Sequence, residues 1–238
     1  MSGLALSVVV PAYNEATRLP RTLARIREYL DQAGESYELL VVDDGSADAT
    51  AEVAIAAGGP ALRLLRNDGN RGKGYSVRRG MLAAQGGRRL MTDADLSTPI
   101  EELPRLMRAL DQGADVAIAS RALPESRIEV HQSWLRENAG RVFNLLVRVL
   151  ALPALHDTQC GFKLFSATAA QEAFSMARLD GFSFDVEVLY VAHRRGRRIA
   201  EVPVVWRNDA ATRVALGKGL SAFLDLARIR ANDWAGRY

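Results

Sequence analysis

The sequence predicts an α/β fold in which helices flank a mostly parallel, twisted sheet. Short apolar, β-branched runs alternate with segments whose apolar residues recur at helical spacing, which is typical of parallel strands joined by crossover helices. Two of these runs end in acidic residues, Asp43-Asp44 and Asp93-Ala94-Asp95, at the sheet edge where such folds bind ligands. With 238 residues, 48% of them hydrophobic and 25% charged, the chain is expected to form one domain.

The first half alternates strands and helices from its beginning. A β-branched run at 7–10 predicts the first strand, and apolar residues at 19, 23, 26 and 30 then predict a helix that ends at Gly34. Further strands are predicted at 38–42, 62–65, 89–92 and 115–119, with helices at 48–57 and 75–85. A helix is also predicted to start in the Thr-Pro-Ile-Glu capping box at 98–101, which has proline at the first helical position.

The second half is less regular. Helices are predicted at 133–152, 166–176, 185–195 and 219–234, with a late strand at 199–206. No internal repeat or clear linker separates the two halves. We therefore expect a single domain over residues 1–238, with a nucleotide-binding half at about 1–121 and a more helical acceptor-binding half at about 122–238.

Composition excludes several classes of protein. The formal charge is only +3 and no basic stretch has interleaved aromatic residues, so nucleic-acid binding is not expected. Cys160 is the only cysteine, which excludes an internal disulfide and a cysteine-based zinc site. No signal peptide or spanning helix is predicted, and we expect a cytoplasmic location. The most apolar stretch, 142–155, is interrupted by Arg148 and Pro153 and is expected to cover the core or lie in a membrane interface.

The two acidic motifs suggest an enzyme that handles a nucleotide-activated substrate. Asp43-Asp44-Gly45-Ser46 also fits an ordinary turn, but adjacent carboxylates repel each other, and binding a ribose or a base would justify them. In Asp93-Ala94-Asp95 the alternate carboxylates can face one cation, and Mg²⁺ or Mn²⁺ prefers oxygen ligands. Helix capping is already provided by Thr98, so metal binding is the favoured role of this motif.

Two further segments of the first half contain candidate site residues. Tyr13 and Glu15 follow the first strand, where the ring can stack on a base and the carboxylate can accept its N–H groups. The glycine-rich loop 67–74 contains Lys73 and is either a surface turn or a binding site for an anion. Its glycine spacing matches neither a P-loop nor a dinucleotide-binding turn.

Taken together, these segments resemble the family 2 glycosyltransferases with the Rossmann-like GT-A fold. The matching stretches run nearly end to end in the family's order: VVPAYNE (9–15), VVDDGS (41–46), NRGKG (70–74), DADLSTP (93–99), IASR (118–121), DTQCGFK (157–163), GFSFDVE (181–187) and EVPVVW (201–206). DADLSTP, DTQCGFK and FDVE are similar to the branch that transfers a hexose to a polyprenyl phosphate.

The resemblance implies roles for individual residues. The implied donor site comprises Pro11, Tyr13, Glu15 and Asp43 at the nucleoside, Asp44 close by, Lys73 at the nucleotide sugar, and Asp93, Ala94 and Asp95 at the metal and diphosphate. Arg121 and Arg136 would bind the acceptor phosphate. Asp95 and Arg121 would be catalytic, and Asp157 or Asp185 would be the base if the acceptor were an alcohol. Either aspartate is otherwise a cap or loop carboxylate.

The implied activity is an inverting, Mg²⁺- or Mn²⁺-dependent transfer of a hexose to a dolichyl or undecaprenyl phosphate. A phosphate monoester has a second pKa of about 6, so this acceptor needs little help from a base. The branch favours UDP-glucose as donor, and GDP-mannose stays open because no residue visibly distinguishes the base or hexose. The alternatives are a soluble or polysaccharide hydroxyl acceptor, or a nucleotide-sugar-binding module without turnover. We expect peripheral attachment to the cytoplasmic face of a membrane.

Overall fold

A seven-stranded sheet forms the centre of the protein in the computed structural model, which describes residues 3–130, 134–208 and 219–238. The strands are β1 (Leu6–Ala12), β2 (Tyr37–Asp43), β3 (Leu62–Arg66), β4 (Arg88–Thr92), β5 (Val116–Ser120), β6 (Arg127–Val130), β7 (Phe162–Ser166), β8 (Ile199–Pro203) and β9 (Val205–Arg207). The order in the large sheet is β3-β2-β1-β4-β7-β5-β8. There β7 is antiparallel to both neighbours and the other pairs are parallel. A separate parallel pair joins β6 to β9.

Helices cover both faces of the sheet. They are α1 (Leu19–Ala33), α2 (Thr50–Gly58), α3 (Lys73–Ala83), α4 (Leu103–Asp111), α5 (Trp134–Leu150), α6 (Ala167–Met176), α7 (Phe184–Arg194) and α8 (Gly219–Trp234). In β1, Val9 belongs to the core that includes residues of α3 and α6, whereas Val8 and Val10 belong to the core with α1 and α4. Because both faces are buried, the central strands are apolar throughout rather than alternating. The predicted α/β class is confirmed.

The sequence analysis did not predict β7, which lies between β4 and β5. Lys163 interrupts the apolar run of this strand. Lys163 is nonetheless fully buried, because its ammonium donates to the Cys160 carbonyl at 2.6 Å and pairs with Asp185. Since β7 and β8 join strands of the first half, both halves of the chain build one sheet.

Two other predicted elements differ from the structure. The strand predicted at 199–206 is two strands in different sheets, and the break follows Pro203, whose nitrogen cannot donate to a ladder. The helix predicted from residue 98 starts later, because residues 100–102 form a 3-10 turn and α4 begins at Leu103. The Thr98 hydroxyl contacts the Cys160 thiol at 3.4 Å instead of capping a helix, so the predicted capping box was wrong.

Helix α5 has apolar residues on two faces. Phe143 and Val147 are buried in the core, whereas Val142, Leu145 and Val149 are 54%, 57% and 72% exposed. Their spacing places the exposed residues on one side of the helix. Across the part of the chain that the structure describes, no helix is both long and apolar enough to cross a membrane.

Candidate active site

The carboxyl ends of β1, β2 and β4 meet at one edge of the sheet. In the ladder between β1 and β2, Ala12 lies opposite Asp43, the last residue of β2. Tyr13 therefore leaves β1 beside Asp43, and its side chain is 46% exposed. On the other side of β1, Asp93 follows Thr92, the last residue of β4. This is the edge at which the sequence predicts ligand binding.

Asp43 places a buried carboxylate at this edge. Its Oδ1 accepts a hydrogen bond of 2.9 Å from the Ser46 amide, which closes the turn after β2. Its Oδ2 lies 3.2 Å from Nε of Arg66, yet it accepts no hydrogen bond from any described residue. Arg66 offsets the charge of this oxygen, but a buried acceptor that receives no hydrogen bond is still costly. A ligand N–H or O–H group would therefore be stabilised at Oδ2.

Asp44 holds the glycine-rich loop 67–74. Its Oδ1 accepts from the Asn67 side chain at 2.7 Å and from the Arg71 amide at 2.9 Å. Its Oδ2 accepts from the Gly72 amide at 2.9 Å. Of the two adjacent aspartates, Asp43 thus has the open acceptor, whereas Asp44 fixes the backbone that leads into Lys73 and α3.

Glu15 and Pro11 shape the turn that follows β1. Both carboxylate oxygens of Glu15 lie 2.7 Å from guanidinium nitrogens of Arg18, and its amide donates to the Thr50 hydroxyl at 2.8 Å. Pro11 lies within β1, opposite Val42 of β2. Any contact of Glu15 with a base would therefore share its carboxylate with Arg18.

A tight turn presents Asp93 and Asp95. The Leu96 amide donates to the Asp93 carbonyl at 3.2 Å, and Leu96 has a φ of +46°, which is uncommon for a residue with a side chain. Ala94 between the aspartates is buried, and its carbonyl accepts from the Thr22 hydroxyl of α1 at 2.5 Å. The apolar residue of the motif thus anchors the turn, and the two carboxylates remain partly exposed.

Gly161 determines where the Asp93 carboxylate can lie. A Cβ on Gly161 would be 2.0 Å from Oδ2 of Asp93, so the carboxylate can keep this position only beside a glycine. The Asp93 amide donates to the Gly161 carbonyl at 3.1 Å, which joins the two segments. Sequence reasoning missed this role, because the only signal was a glycine in the DTQCGFK stretch, far from Asp93 in the chain.

The carboxylates here suit a metal that is also bound by substrate. Asp93 and Asp95 supply hard oxygen ligands, and the described side chains contain no group of three His, Cys, Asp or Glu residues that could hold a metal. Mg²⁺ is commonly bound by one or two carboxylates together with substrate phosphates.

Lys73, the first residue of α3, lies against the same carboxylate. Its Nζ is 2.7 Å from Oδ1 of Asp93. Burial disfavours the charged ammonium, but the carboxylates of Asp93 and Asp185 outweigh that effect and raise the pKa of Lys73 above its usual value. Lys73 is therefore a cation at physiological pH.

Asp185 is buried at the start of α7. Its Oδ1 pairs with Nζ of Lys163 at 2.5 Å. Burial raises the pKa of Asp185, although Lys163 and Lys73 act in the opposite direction. A carboxylate in a closed, buried ion pair is poorly placed to take a proton from a substrate, which weakens the case for Asp185 as a base.

Arg121 and Asp157 form a two-point ion pair. Arg121 Nε and Nη2 lie 2.6 and 2.9 Å from the two Asp157 oxygens, and its amide donates to Oδ2 at 3.0 Å. Burial disfavours the carboxylate, but Arg121 outweighs it and lowers the pKa of Asp157 to about 2. Such a weakly basic group does not fit the catalytic base that we considered. Arg121 remains 25% exposed and lies over the Trp206 ring, 5.4 Å from its centroid.

The second arginine that the sequence implies for phosphate binding, Arg136, has a side chain outside the described residues. Described cations near the Asp93 turn include Lys73 and Arg121. Burial disfavours the Arg121 charge, but the carboxylates of Asp157 and Asp93 outweigh that effect and raise the pKa of Arg121 above its usual value.

Sequence comparisons identify relatives along almost the whole chain. A family model described as Glycosyl transferase family 2 matches residues 7–174. A dolichyl-phosphate beta-glucosyltransferase of Drosophila melanogaster is 41% identical over 252 residues, covering 98% of this chain and 77% of the relative. Its Homo sapiens counterpart of the same name is 37% identical over 249 residues, covering 98% and 77%.

Solved structures share the fold at lower identity. A glucosyl-3-phosphoglycerate synthase from Mycobacterium tuberculosis, in complex with Mn²⁺ and UDP-glucose, superposes with a TM-score of 0.69 at 21% identity, covering 93% of this chain and 78% of that one. A mannosyl-3-phosphoglycerate synthase from Rubrobacter xylanophilus gives 0.74 at 20% identity, covering 99% and 76%.

Proposed function

Because the chain belongs to glycosyl transferase family 2, is a glycosyltransferase and has the GT-A fold, we propose that it transfers a hexose from a nucleotide sugar to a polyprenyl phosphate with inversion at the anomeric carbon. One observation supports this proposal best. A single sheet edge combines the open carboxylate of Asp43 with the Asp93 carboxylate and the ammonium of Lys73. These groups are the ones needed to bind a base and a metal-bound diphosphate.

The proposed donor is UDP-glucose. Oδ2 of Asp43 can accept a hydrogen bond from the imide N–H of uracil, and the exposed ring of Tyr13 can stack on the base. The Drosophila and human relatives are glucosyltransferases, and one solved structure of this fold contains UDP-glucose. Guanine also has N–H donors, so GDP-mannose is the competitor that an assay has to include.

Asp93 and Asp95 are the proposed ligands of Mg²⁺ or Mn²⁺. When bound, the metal would neutralise negative charge on the departing diphosphate. Gly161 leaves room for the Asp93 carboxylate, and Lys73 adds a positive charge beside it. Asp44 contributes indirectly, since it holds the loop that ends at Lys73.

The described carboxylates favour a phosphate acceptor over a hydroxyl acceptor. A hydroxyl acceptor needs a base to remove its proton. Both carboxylates considered for that role are held in ion pairs, Asp157 with Arg121 and Asp185 with Lys163. A phosphate monoester is already anionic near neutral pH and attacks without that help. We propose that the exposed part of the Arg121 guanidinium binds this phosphate, oriented by Asp157 and Trp206.

We also propose that the exposed apolar face of α5 contacts the membrane that holds the lipid acceptor, on its cytoplasmic side. The face consists of Val142, Leu145 and Val149, and Phe143 of the same helix packs edge-on against Phe223 of α8, with 6.4 Å between ring centroids. Leu224 of α8 is 59% exposed. Apolar side chains on two packed helices are the expected feature of a peripheral contact.

The proposal is tested by sugar transfer from radiolabelled UDP-glucose and GDP-mannose to a polyprenyl phosphate, with and without Mg²⁺ or Mn²⁺. The matched acceptor control is the polyprenol of equal length, which ends in a hydroxyl. Metal-dependent label on the phosphate acceptor alone, from UDP-glucose, is the expected result. Label on the polyprenol would contradict the phosphate acceptor, and nucleotide binding without turnover in any arm would identify a binding module.

A further inference from the structure

Lys73 and a divalent metal would need the same carboxylate. The Lys73 ammonium lies 2.7 Å from Oδ1 of Asp93, which the proposed function assigns to the metal. We propose that Lys73 competes with the metal for Asp93 while no donor is bound, and moves onto the diphosphate when the metal and nucleotide sugar bind together. Lys73 is then a positioning residue that makes metal binding depend on the donor. This inference rests on the proposed metal site.

The backbone on both sides of Lys73 is fixed, so the exchange involves its side chain alone. Upstream, the Arg71 and Gly72 amides donate to Asp44 at 2.9 Å each. Downstream, the Gly74 amide donates to the Asp180 carbonyl at 2.8 Å. A Cβ on Gly72 would lie 2.4 Å from that carbonyl oxygen, so the loop is packed closely against the segment before α7. From this fixed origin the four-carbon side chain can reach either Asp93 or a ligand beside it.

The charges around Lys73 explain why it rests on Asp93. Asp185 is already neutralised by Lys163, the buried lysine of β7, in a separate ion pair. Lys73 is therefore the cation in direct contact with Asp93 in the described site. A divalent cation at Asp93 would repel the ammonium at short range, and the diphosphate that arrives with the metal offers new anionic oxygens.

A purely structural ion pair predicts something different. If Lys73 only held α3 in place and never contacted the diphosphate, removing its charge would free Asp93 for a metal but would not weaken the binding of a nucleotide. Competition instead predicts opposite effects in the two states: without a nucleotide the variant gains metal affinity, and with a nucleotide it loses nucleotide affinity. The first effect tests whether Lys73 and the metal share Asp93, and the second distinguishes the positioning role from a purely structural one.

The experiment measures Mn²⁺ binding by the electron paramagnetic resonance signal of free Mn²⁺, first without nucleotide and then with UDP. The proteins are the unmodified chain, Lys73→Met, Asp93→Asn and the double variant, with thermal unfolding to check each fold. Arg71→Met is the matched control, because it removes one positive charge from the same loop, where the guanidinium lies over Tyr75 at 4.8 Å rather than on a carboxylate.

Lys73→Met is expected to bind Mn²⁺ alone about ten-fold more tightly than the unmodified chain, in line with removal of a partly buried ion pair. The same variant should bind UDP with Mn²⁺ more weakly, and Arg71→Met should leave Mn²⁺ binding without nucleotide unchanged. If Lys73→Met binds Mn²⁺ alone no more tightly while Asp93→Asn abolishes binding, the competition is overturned and the metal site stands. If Asp93→Asn leaves Mn²⁺ binding intact, the proposed metal site itself is wrong.

Discussion

Gly161→Ala tests the geometry of the proposed metal site with a single methyl group. The new Cβ would lie 2.0 Å from Oδ2 of Asp93, whereas ordinary contact begins near 3.4 Å, so the carboxylate would have to move by about 1.4 Å. Displacements of about 1 Å in a catalytic group can cost about 100-fold in rate. We therefore expect kcat/KM for sugar transfer to fall about 100-fold and the apparent affinity for Mn²⁺ to weaken.

The fold itself should tolerate Gly161→Ala. Gly161 does not have the positive φ that disfavours alanine, and the Asp93 side chain is 31% exposed, so it can rotate toward solvent. The unfolding free energy should therefore change by only about 1 kcal/mol.

The assay compares kcat/KM over a series of Mn²⁺ concentrations with urea unfolding of the same preparations. Gly87→Ala is the control at the opposite end of β4, because its Cβ would meet only carbonyl oxygens at 3.8 and 3.9 Å. Unchanged kcat/KM and Mn²⁺ affinity in Gly161→Ala would show that the position of the Asp93 carboxylate does not matter for transfer. An equal loss of kcat/KM in Gly87→Ala would show that the effect is not specific to the contact with Asp93.

Three more perturbations test other contacts of the described structure. Asp44→Ala removes the acceptor of three loop hydrogen bonds. It should raise KM for the nucleotide sugar about ten-fold and lower the unfolding free energy by about 2 kcal/mol. If initial-rate measurements give an unchanged KM, Asp44 does not hold the loop in its binding position. The pKa of Asp157 is lowered to about 2 in the folded protein. Its pair with Arg121 should therefore contribute about 2 kcal/mol to the unfolding free energy above pH 4, and this contribution is lost as the pH falls toward 2. Measured by urea unfolding, the unfolding free energy of Asp157→Asn should fall less steeply with acid than that of the unmodified chain. Equal pH dependence in the two proteins would contradict this prediction. Val149→Glu should reduce co-sedimentation with anionic lipid vesicles while Ile55→Glu, at a residue 62% exposed on α2, should not; equal sedimentation of the two variants would argue against the α5 face.

The sequence predicted the parallel part of the sheet because its strands are continuous apolar runs that end in polar turns. It also predicted that Asp43 and Asp93 lie at one edge of the sheet, since each stands at the end of such a run. It did not predict β7, because Lys163 interrupts the run and is tolerated only through its buried pair with Asp185. No local pattern could show that pairing.

The pairing state of the candidate site residues was the least predictable part. Asp157 pairs with Arg121, which lies far from it in the sequence, so no local pattern indicates their contact. Glu15 and Arg18 are close in the sequence, but the motif alone does not show that both carboxylate oxygens of Glu15 are bound by Arg18. A carboxylate's usefulness as a base depends on such partners and on burial, which only the folded chain brings together. The same limit applies to Gly161, whose importance is a distance to Asp93 rather than a property of its own segment.

The position of β7 between β4 and β5 has a consequence for the order in which the sheet can form during synthesis. β4 pairs with β1 on one side, but its other side is filled only by β7, and β5 has both of its neighbours, β7 and β8, later in the chain. A nascent chain that ends near residue 121 would therefore expose one open edge of β4 and two of β5, and exposed edges invite pairing with other chains. The strand that closes them also delivers Gly161 to Asp93. Closing the sheet and completing the geometry of the proposed metal site are thus the same event, so we expect a folding intermediate with an open sheet to be inactive.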